Sequence, residues 1–356
     1  MGVAGMRAPR IASKSRALIW MSGKPARRRA DRMRALWCWF WAVLVALALP
    51  GTSALAQFPD RPIRFVIPFP PGGTNDIVGR LVADGMAARL GQPVVIENRG
   101  GAGGALGAEV VAKTPPDGYT LLLGSSGSLT INQLVRRNLP YDPTTAFAPI
   151  GLIGSGANVI VVHPAVAATN LRELQAAARA AQNPFTYGSP GVGSTGHAAG
   201  ALISQVLDVE MEHIPYRGTG PALNDLIAGR LQVFTNALAP LQPQIRAGTV
   251  RALAIAGPRR NAALPDLPTT GEAGFPDIQT ATWFGILATG GTPMDRVQRL
   301  HAALNATVNE AETRRKLEEG GIDVEISESP AAFAAFYAAD QAKWAPVVRR
   351  AGVRVE

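Results

Sequence analysis

From Phe58 onward, short apolar runs alternate with longer stretches whose apolar positions recur at helical spacing. Ile63–Ile67 is a β-branched and aromatic run stopped by Pro68, which predicts a strand. Over Asp76–Leu90, residues Ile77, Leu81, Met86 and Leu90 keep helical spacing, and Gly91 ends the pattern. Further strands are predicted at Val94–Glu97, Tyr119–Leu123 and Val159–Val162, with a short helix at Ala105–Ala112. The second third repeats the alternation. Helices are predicted at Leu171–Ala181, His197–Leu207 and Pro221–Ala228, and strands at Phe185–Gly188, Glu212–Tyr216, Leu231–Phe234 and Val250–Ala256. A strand at Trp283–Leu287 and helices at Met294–Asn309, Ala311–Glu319 and Pro330–Ala351 complete the chain. Strands alternating with helices predict an α/β protein with mainly parallel sheets covered on both faces.

At 356 residues the chain is long for one compact domain and comfortable for two. Pro and Gly mark its turns but no single linker, which fits lobes joined by chain that crosses more than once. Apolar residues make up 47%, enough to fill sizeable cores.

The formal charge of +9 suggests a nucleic-acid partner until its location is considered. Ten of the 35 basic residues and one of the 26 acidic ones, Asp31, lie in residues 1–56, so the rest of the chain carries 25 of each. A neutral body offers no broad attraction for phosphate backbones or anionic lipid. The excess belongs to a leader: a basic run from Arg27 to Arg34, an apolar stretch from Leu36 to Leu49, then Ala54-Leu55-Ala56. That order is that of a cleavable secretory signal peptide, with cleavage expected after Ala56 and the mature protein in the periplasm. The rival reading, an uncleaved anchor, needs an apolar run of about 20 residues. Met1 and Met33 are both candidate starts. The only cysteine, Cys38, sits inside the leader, so the mature chain has no disulfide, thiolate metal site or thiol nucleophile.

Three strand-to-helix junctions are candidate ligand loops, because α/β sheets place ligands at the carboxyl ends of parallel strands. The first runs from Pro68 to Asp76 and contains Phe69, Pro71, Gly72 and Gly73. Its glycines permit close backbone approach, and the following helix start suits a carboxylate. The bland alternative is a tight turn with an N-cap from Thr74, Asn75 or Asp76. The second, Leu123–Ser128, offers the hydroxyls of Ser125 and Ser126, with a solvated turn as its alternative. The third, Ser189–His197, holds Gly191, Gly193, Ser194, Thr195 and His197. Gly191, Gly193 and Gly196 match G-x-G-x-x-G, with Glu210 and Glu212 near the place of a ribose-binding acid. A mid-chain position in an exported protein argues against a dinucleotide, and an anion cradle of backbone N–H groups suits the loop better.

Other chemistries fit poorly. Residues 192–196 lack the first glycine of a nucleophile elbow, no P-loop lysine follows a glycine-rich turn, and the four histidines lack metal-ligand spacing. Ser194 with His197 remains the one candidate pair for a periplasmic hydrolase.

Several motifs then occur together. They include Arg61-Pro62-Ile63 before Pro68-Phe69-Pro70-Pro71-Gly72-Gly73; Leu90-Gly91-Gln92-Pro93-Val94-Val95-Ile96-Glu97-Asn98-Arg99; Gly101-Ala102-Gly103-Gly104; and Pro116-Asp117-Gly118-Tyr119. Further on come Leu139-Pro140-Tyr141-Asp142-Pro143, Gly191-Val192-Gly193-Ser194, His213-Ile214-Pro215-Tyr216-Arg217-Gly218, Leu264-Pro265-Asp266-Leu267-Pro268 and Gly291-Thr292-Pro293. In this combination the chain resembles the substrate-binding proteins of tripartite tricarboxylate transporters, the Bug family, from about Phe58 to Gly352. The resemblance implies a two-lobed, periplasmic-binding-protein-like (type II) fold, with residues 57–158 and 283–356 in one lobe and 159–282 in the other. It implies a non-enzymatic receptor, without cofactor or metal and monomeric, that presents a small carboxylate to transporter membrane subunits or to a sensor protein. It also implies that the Phe69–Asp76 and Ser189–His197 loops face each other across a cleft, with Tyr216 and Asn236 added to the site. Many relatives carry Asp-Asn where this chain has Thr235-Asn236, which removes a partner for a ligand amine. Simple dicarboxylates or aromatic carboxylates are therefore expected over amino acids.

Overall fold

The computed structural model describes residues 58–136, 138–350 and 352–353, together with Trp37, Trp39 and Phe40. The chain divides into one unit of residues Met1–Ala56 and another of Gln57–Glu356. Apart from those three aromatic residues, the leader assigned from the sequence lies outside the described residues. No described helix is long and apolar enough to cross a membrane.

In the second unit the strands are β1 (Ile63–Ile67), β2 (Val94–Asn98), β3 (Thr120–Ser125), β4 (Phe147–Val162), β5 (Phe185–Ser189), β6 (Met211–Pro215), β7 (Val233–Ala237), β8 (Arg251–Ile255), β9 (Ala281–Thr289) and β10 (Asp323–Val324). The α-helices are α1 (Thr74–Leu90), α2 (Ala105–Ala112), α3 (Asn132–Val135), α4 (Leu171–Ala180), α5 (Thr195–Val206), α6 (Thr219–Ile227), α7 (Gln242–Arg246), α8 (Met294–Val308), α9 (Ala311–Glu319) and α10 (Pro330–Arg350). A 3-10 turn at Ala102–Gly104 precedes α2, and a π-helical turn at Ser126–Ile131 runs into α3.

The strand order is β2-β1-β3-β9-β4-β7-β5-β6, with β8 and β10 also on β4. The expected parallel pairing holds at both flanks: β1 with β2 and β3, and β5 with β6 and β7. Between the flanks, β9 and β4 run antiparallel to their neighbours. β4 pairs with β9 through Ala157 and with β7 from Asn158, so one 16-residue strand belongs to both halves. Sequence patterning predicts only its last four residues. Pro149, Gly151, Gly154 and Gly156 read as strand breakers, but irregular pairing at Pro149/Gly151 and Leu152/Gly154 absorbs the first three and Gly156 pairs in register with Thr282.

Each half is buried on both sheet faces, and successive strand residues go to opposite sides. Phe65, Leu121 and Ile286 pack with Met86 of α1 and Leu300 of α8. Their chain neighbours Val66, Leu122 and Leu287 pack with Trp283 and with Phe333 of α10. In the second half Ile160, Tyr187 and Val233 meet Ile203 of α5, whereas Val161 and Phe234 meet Leu226 of α6. Full burial of each such side chain is worth about 1.5–3 kcal/mol. Helix α10 presents Phe333, Tyr337, Trp344 and Val348 along one buried stripe. Asp340 lies on the same helix, where its carboxylate accepts from Trp283 Nε1 at 2.6 Å and Thr130 Oγ1 at 2.7 Å. Further along, Trp344 and Val348 pack with Ile131 and Val135 and with Ala198 of α5, so α10 touches elements of both halves.

Gly200 tests how tightly α5 sits on its sheet. A helix-interior Gly→Ala change ordinarily stabilises by about 1 kcal/mol. Here a Cβ would run into the Tyr187 ring. Gly200→Ala is therefore expected to destabilise by about 1–3 kcal/mol, read from the urea unfolding midpoint.

Candidate ligand-binding site

The turn after β1 is built by one carboxylate. Asp76 is buried; its Oδ2 accepts from the Gly72 amide and from Arg80 Nε, both at 3.0 Å, and its Oδ1 accepts from Asn98 Nδ2 at 2.9 Å. Asn98 Nδ2 also donates to the Phe69 carbonyl at 3.0 Å. Burial alone would raise the Asp76 carboxyl, but the bonds from Arg80, Gly72 and Asn98 hold it below the ordinary carboxylate value. All this fixes Phe69 and the start of α1. Pro71 and Gly72, with φ +83° at Gly72, form the exposed tip. Gly73 caps α1 without a side-chain hydrogen bond.

The turn after β5 is built differently. Ser189 Oγ accepts from the Gly191 amide at 3.2 Å and lies 2.7 Å from His213 Nε2. His213 stacks between Tyr187 (centroids 4.9 Å apart) and His197 (3.9 Å). Ser194 caps α5 by accepting from the His197 backbone amide at 3.3 Å, and His197 Nδ1 accepts from the Gly193 amide at 3.3 Å. Burial pushes the His197 imidazole down to about 4. Burial, and then the neighbouring His197, push His213 down to about 3. Both rings are neutral at pH 7, and the Ser194 and His197 side chains each accept from a backbone amide of the same turn. No hydrogen bond links the Ser194 hydroxyl to the His197 ring, so the pair has a capping geometry, not that of a nucleophile and its base.

The two turns face each other across a slot. Lining it are Phe69, Pro70, Gly73, Thr74 and Asn75 from the first turn, and Pro190, Ser194, Thr195 and Gly196 from the second. Ser125, Thr219, Asn236, Ala237, Thr282 and Phe284 close the sides. About 430 Å³ of atom-free space lies among them, mouth included, but only about 30 Å³ is wide enough to centre a water-sized sphere.

Of the residues singled out from sequence, Phe69, Gly73, Ser125, Ser194, Thr195 and Asn236 line this slot. Asp76, Ser189, Gly191, Gly193 and His197 stand behind it and shape the two turns. Ser126 Oγ accepts from the Trp283 amide at 3.0 Å, and Tyr216 donates to Asp225 at 2.7 Å; neither lines the slot. Thr219, Thr282 and Phe284 also line the slot, although the sequence pattern does not single them out. Thr219 opens α6 directly after Gly218, a helix-start signal that was available; Thr282 and Phe284 lie in a strand and carry none.

Among the described residues no charged side chain lines the slot. Instead the N-terminal residues of three helices do: Thr74 of α1, Thr195 of α5 and Thr219 of α6. Each helix start carries roughly half a positive charge on unpaired amides. Thr74 Oγ1 and Asn75 Oδ1 are buried without a hydrogen-bond partner, and Asn236 Nδ2 donates to Thr219 Oγ1 at 3.3 Å. Among the described residues no three His, Cys, Asp or Glu gather as a metal site.

Residues 78–353 match the tripartite tricarboxylate transporter family receptor. The protein BugT of Bordetella pertussis is 32% identical over 320 residues, covering 88% of this chain and 97% of BugT. Two solved structures share the fold. The protein Rpa4515 of R. palustris with adipate superposes with a TM-score of 0.81 at 36% identity, covering 84% of this chain and 99% of that one. MatC from Rhodopseudomonas palustris with bound malate gives 0.78 at 32% identity, covering 82% and 100%.

The stacked histidines make stability depend on pH with a definite sign. The folded protein takes up their protons near pH 4 and 3, the unfolded chain near the ordinary value of 6.5. Their contribution is complete above pH 6.5 and is lost as pH falls through 4 towards 3. The urea midpoint is expected to drop between pH 6.5 and 5, and replacing both His197 and His213 by glutamine should flatten that slope.

Proposed function

Because the chain belongs to the tripartite tricarboxylate transporter receptor family, we propose that it captures a small organic carboxylate in the slot between α1, α5 and α6. Receptors of this family are solute-binding proteins, not enzymes, and of the periplasm. The observation that carries the reading is the convergence of three helix N-termini on a slot without a charged side chain. Their amides, the Thr74 hydroxyl and bridging waters supply neutral donors for a carboxylate. The adipate and malate held by the two structural relatives are of this class.

In this reading residues 57–158 with 283–356 form one lobe and residues 159–282 the other, joined by β4 and the segment before β9. The mature monomer, freed of its leader after Ala56, opens to admit the acid and closes with both lobes touching it. The closed form is then presented to the membrane subunits of the transporter. Among the described residues no carboxylate lines the slot, and the Thr235-Asn236 pair, of which Asn236 lines it, supplies none to a ligand amine. Plain dicarboxylates or aromatic carboxylates are thus favoured over amino acids.

Titration calorimetry with adipate, malate, succinate and benzoate, against aspartate and glutamate, tests this. Binding of at least one plain acid is expected, and binding confined to the amino acids would reject the assignment. Gly73→Val provides the structural check. Gly73 has φ −85°, so valine brings no left-handed strain, but its Cβ would sit 3.1 Å from Thr219 Oγ1 across the slot. Affinity is expected to fall by at least about 100-fold, with folding stability changed by less than about 1 kcal/mol.

A further inference from the structure

We propose that Gly103 and Asn132 form a clasp that selects the closed arrangement of the two lobes, with Asn132 as its positioning residue. The inference rests on the capture reading above. Gly101, Ala102, Gly103 and Gly104 all have positive φ, at +132°, +52°, +63° and +102°. Left-handed backbone is unfavourable for a residue with a Cβ, so Ala102 stays there only because its surroundings hold it.

The holder is Asn132, which is fully buried. Its Nδ2 donates to the Gly103 carbonyl at 2.7 Å and to the Gly127 carbonyl at 3.1 Å, and its Oδ1 accepts from Arg136 Nε at 2.8 Å. One amide thus ties together two backbone segments of the first lobe. Both segments press on the second. A Cβ on Gly103 would run into the Val192 carbonyl oxygen and lie 3.0 Å from Gly193 C and Ser194 N. A Cβ on Gly127 would lie 3.0 Å from Thr195 N, and one on Gly193 would lie 2.7 Å from Asn132 Oδ1.

Neither Gly103 nor Asn132 lines the slot. The three atoms nearest to a Gly103 Cβ all belong to the second lobe, so the obstruction exists only when the lobes are together. The clasp therefore acts on the closing equilibrium, through contacts present in one state and absent in the other.

Gly103→Ala tests this, with Gly248→Ala as control. Gly248 has φ +70° and nothing within 4 Å of a Cβ, so it bears the same left-handed cost without the cross-lobe obstruction. Gly127→Ala repeats the test at a glycine without positive φ. Stopped-flow binding of adipate, malate, succinate and benzoate, and small-angle scattering with and without each acid, are the readouts. For Gly103→Ala and Gly127→Ala, dissociation is expected to quicken by about tenfold and ligand-induced contraction to be lost. Association and the order of preference among the acids stay as in the unaltered protein. Asn132→Asp, which cannot donate, should shift dissociation in the same direction. Dissociation and contraction in both glycine variants equal to those of Gly248→Ala would overturn the clasp while leaving the capture reading in place. An unaltered protein that neither binds nor contracts with any of the acids overturns both.

Discussion

An anion can be held without a buried cation only if several neutral dipoles point at it from close range. Close range is what side chains ordinarily prevent. In the proposed reading the slot meets this constraint by starting three helices at one place and by putting glycine where the two halves come nearest. A Cβ at Gly73, Gly103, Gly127, Gly193 or Gly218 would meet an atom of the opposite half at 3.1 Å or less. The conformational freedom of glycine matters at Gly103, Gly193 and Gly218, whose φ values are positive. At Gly73 and Gly127 what matters is the missing side chain.

Charged groups do their work one step back from the slot. The Asp76 carboxylate is committed to the Gly72 amide, Arg80 and Asn98, and so stiffens a turn it does not present to solute. The stacked His197 and His213 do the same for the second turn while staying neutral. This arrangement keeps full charges out of a space with little water, where an unpaired charge would be costly. It also leaves the helix-start amides as the main source of positive potential in the slot.

Mechanically, the halves share one strand. β4 pairs with β9 over its first part and with β7 and β8 over its last, so the hydrogen-bond ladder is continuous from one half to the other. Irregular pairing at Pro149/Gly151 and Leu152/Gly154 sits in the first half, away from the point of crossing. The π-helical turn at Ser126–Ile131 and helix α10 make a further connection on the side away from α1, through Trp344, Val348 and Ala198. Motion between the halves must therefore respect a covalently continuous sheet and a packed C-terminal helix.

Periodicity determined most of the elements, because a buried helix stripe and a two-faced buried strand leave distinct spacings of apolar residues. It also marked the glycine-rich turns at Phe69–Gly73 and Ser189–Ser194, because helix caps and tight turns need particular residues locally. It could not show that β4 extends back to Phe147, since Pro149 and three glycines look like breakers until partner strands absorb them. Nor could it separate Asp76 and His197, which stand behind the slot, from Thr74, Thr219, Thr282 and Phe284, which line it. Local sequence sets which backbone conformations are cheap. Which side chain ends up facing an empty space, and which is consumed by a neighbour, depends on contacts between residues far apart in the chain, and only the packed structure decides those.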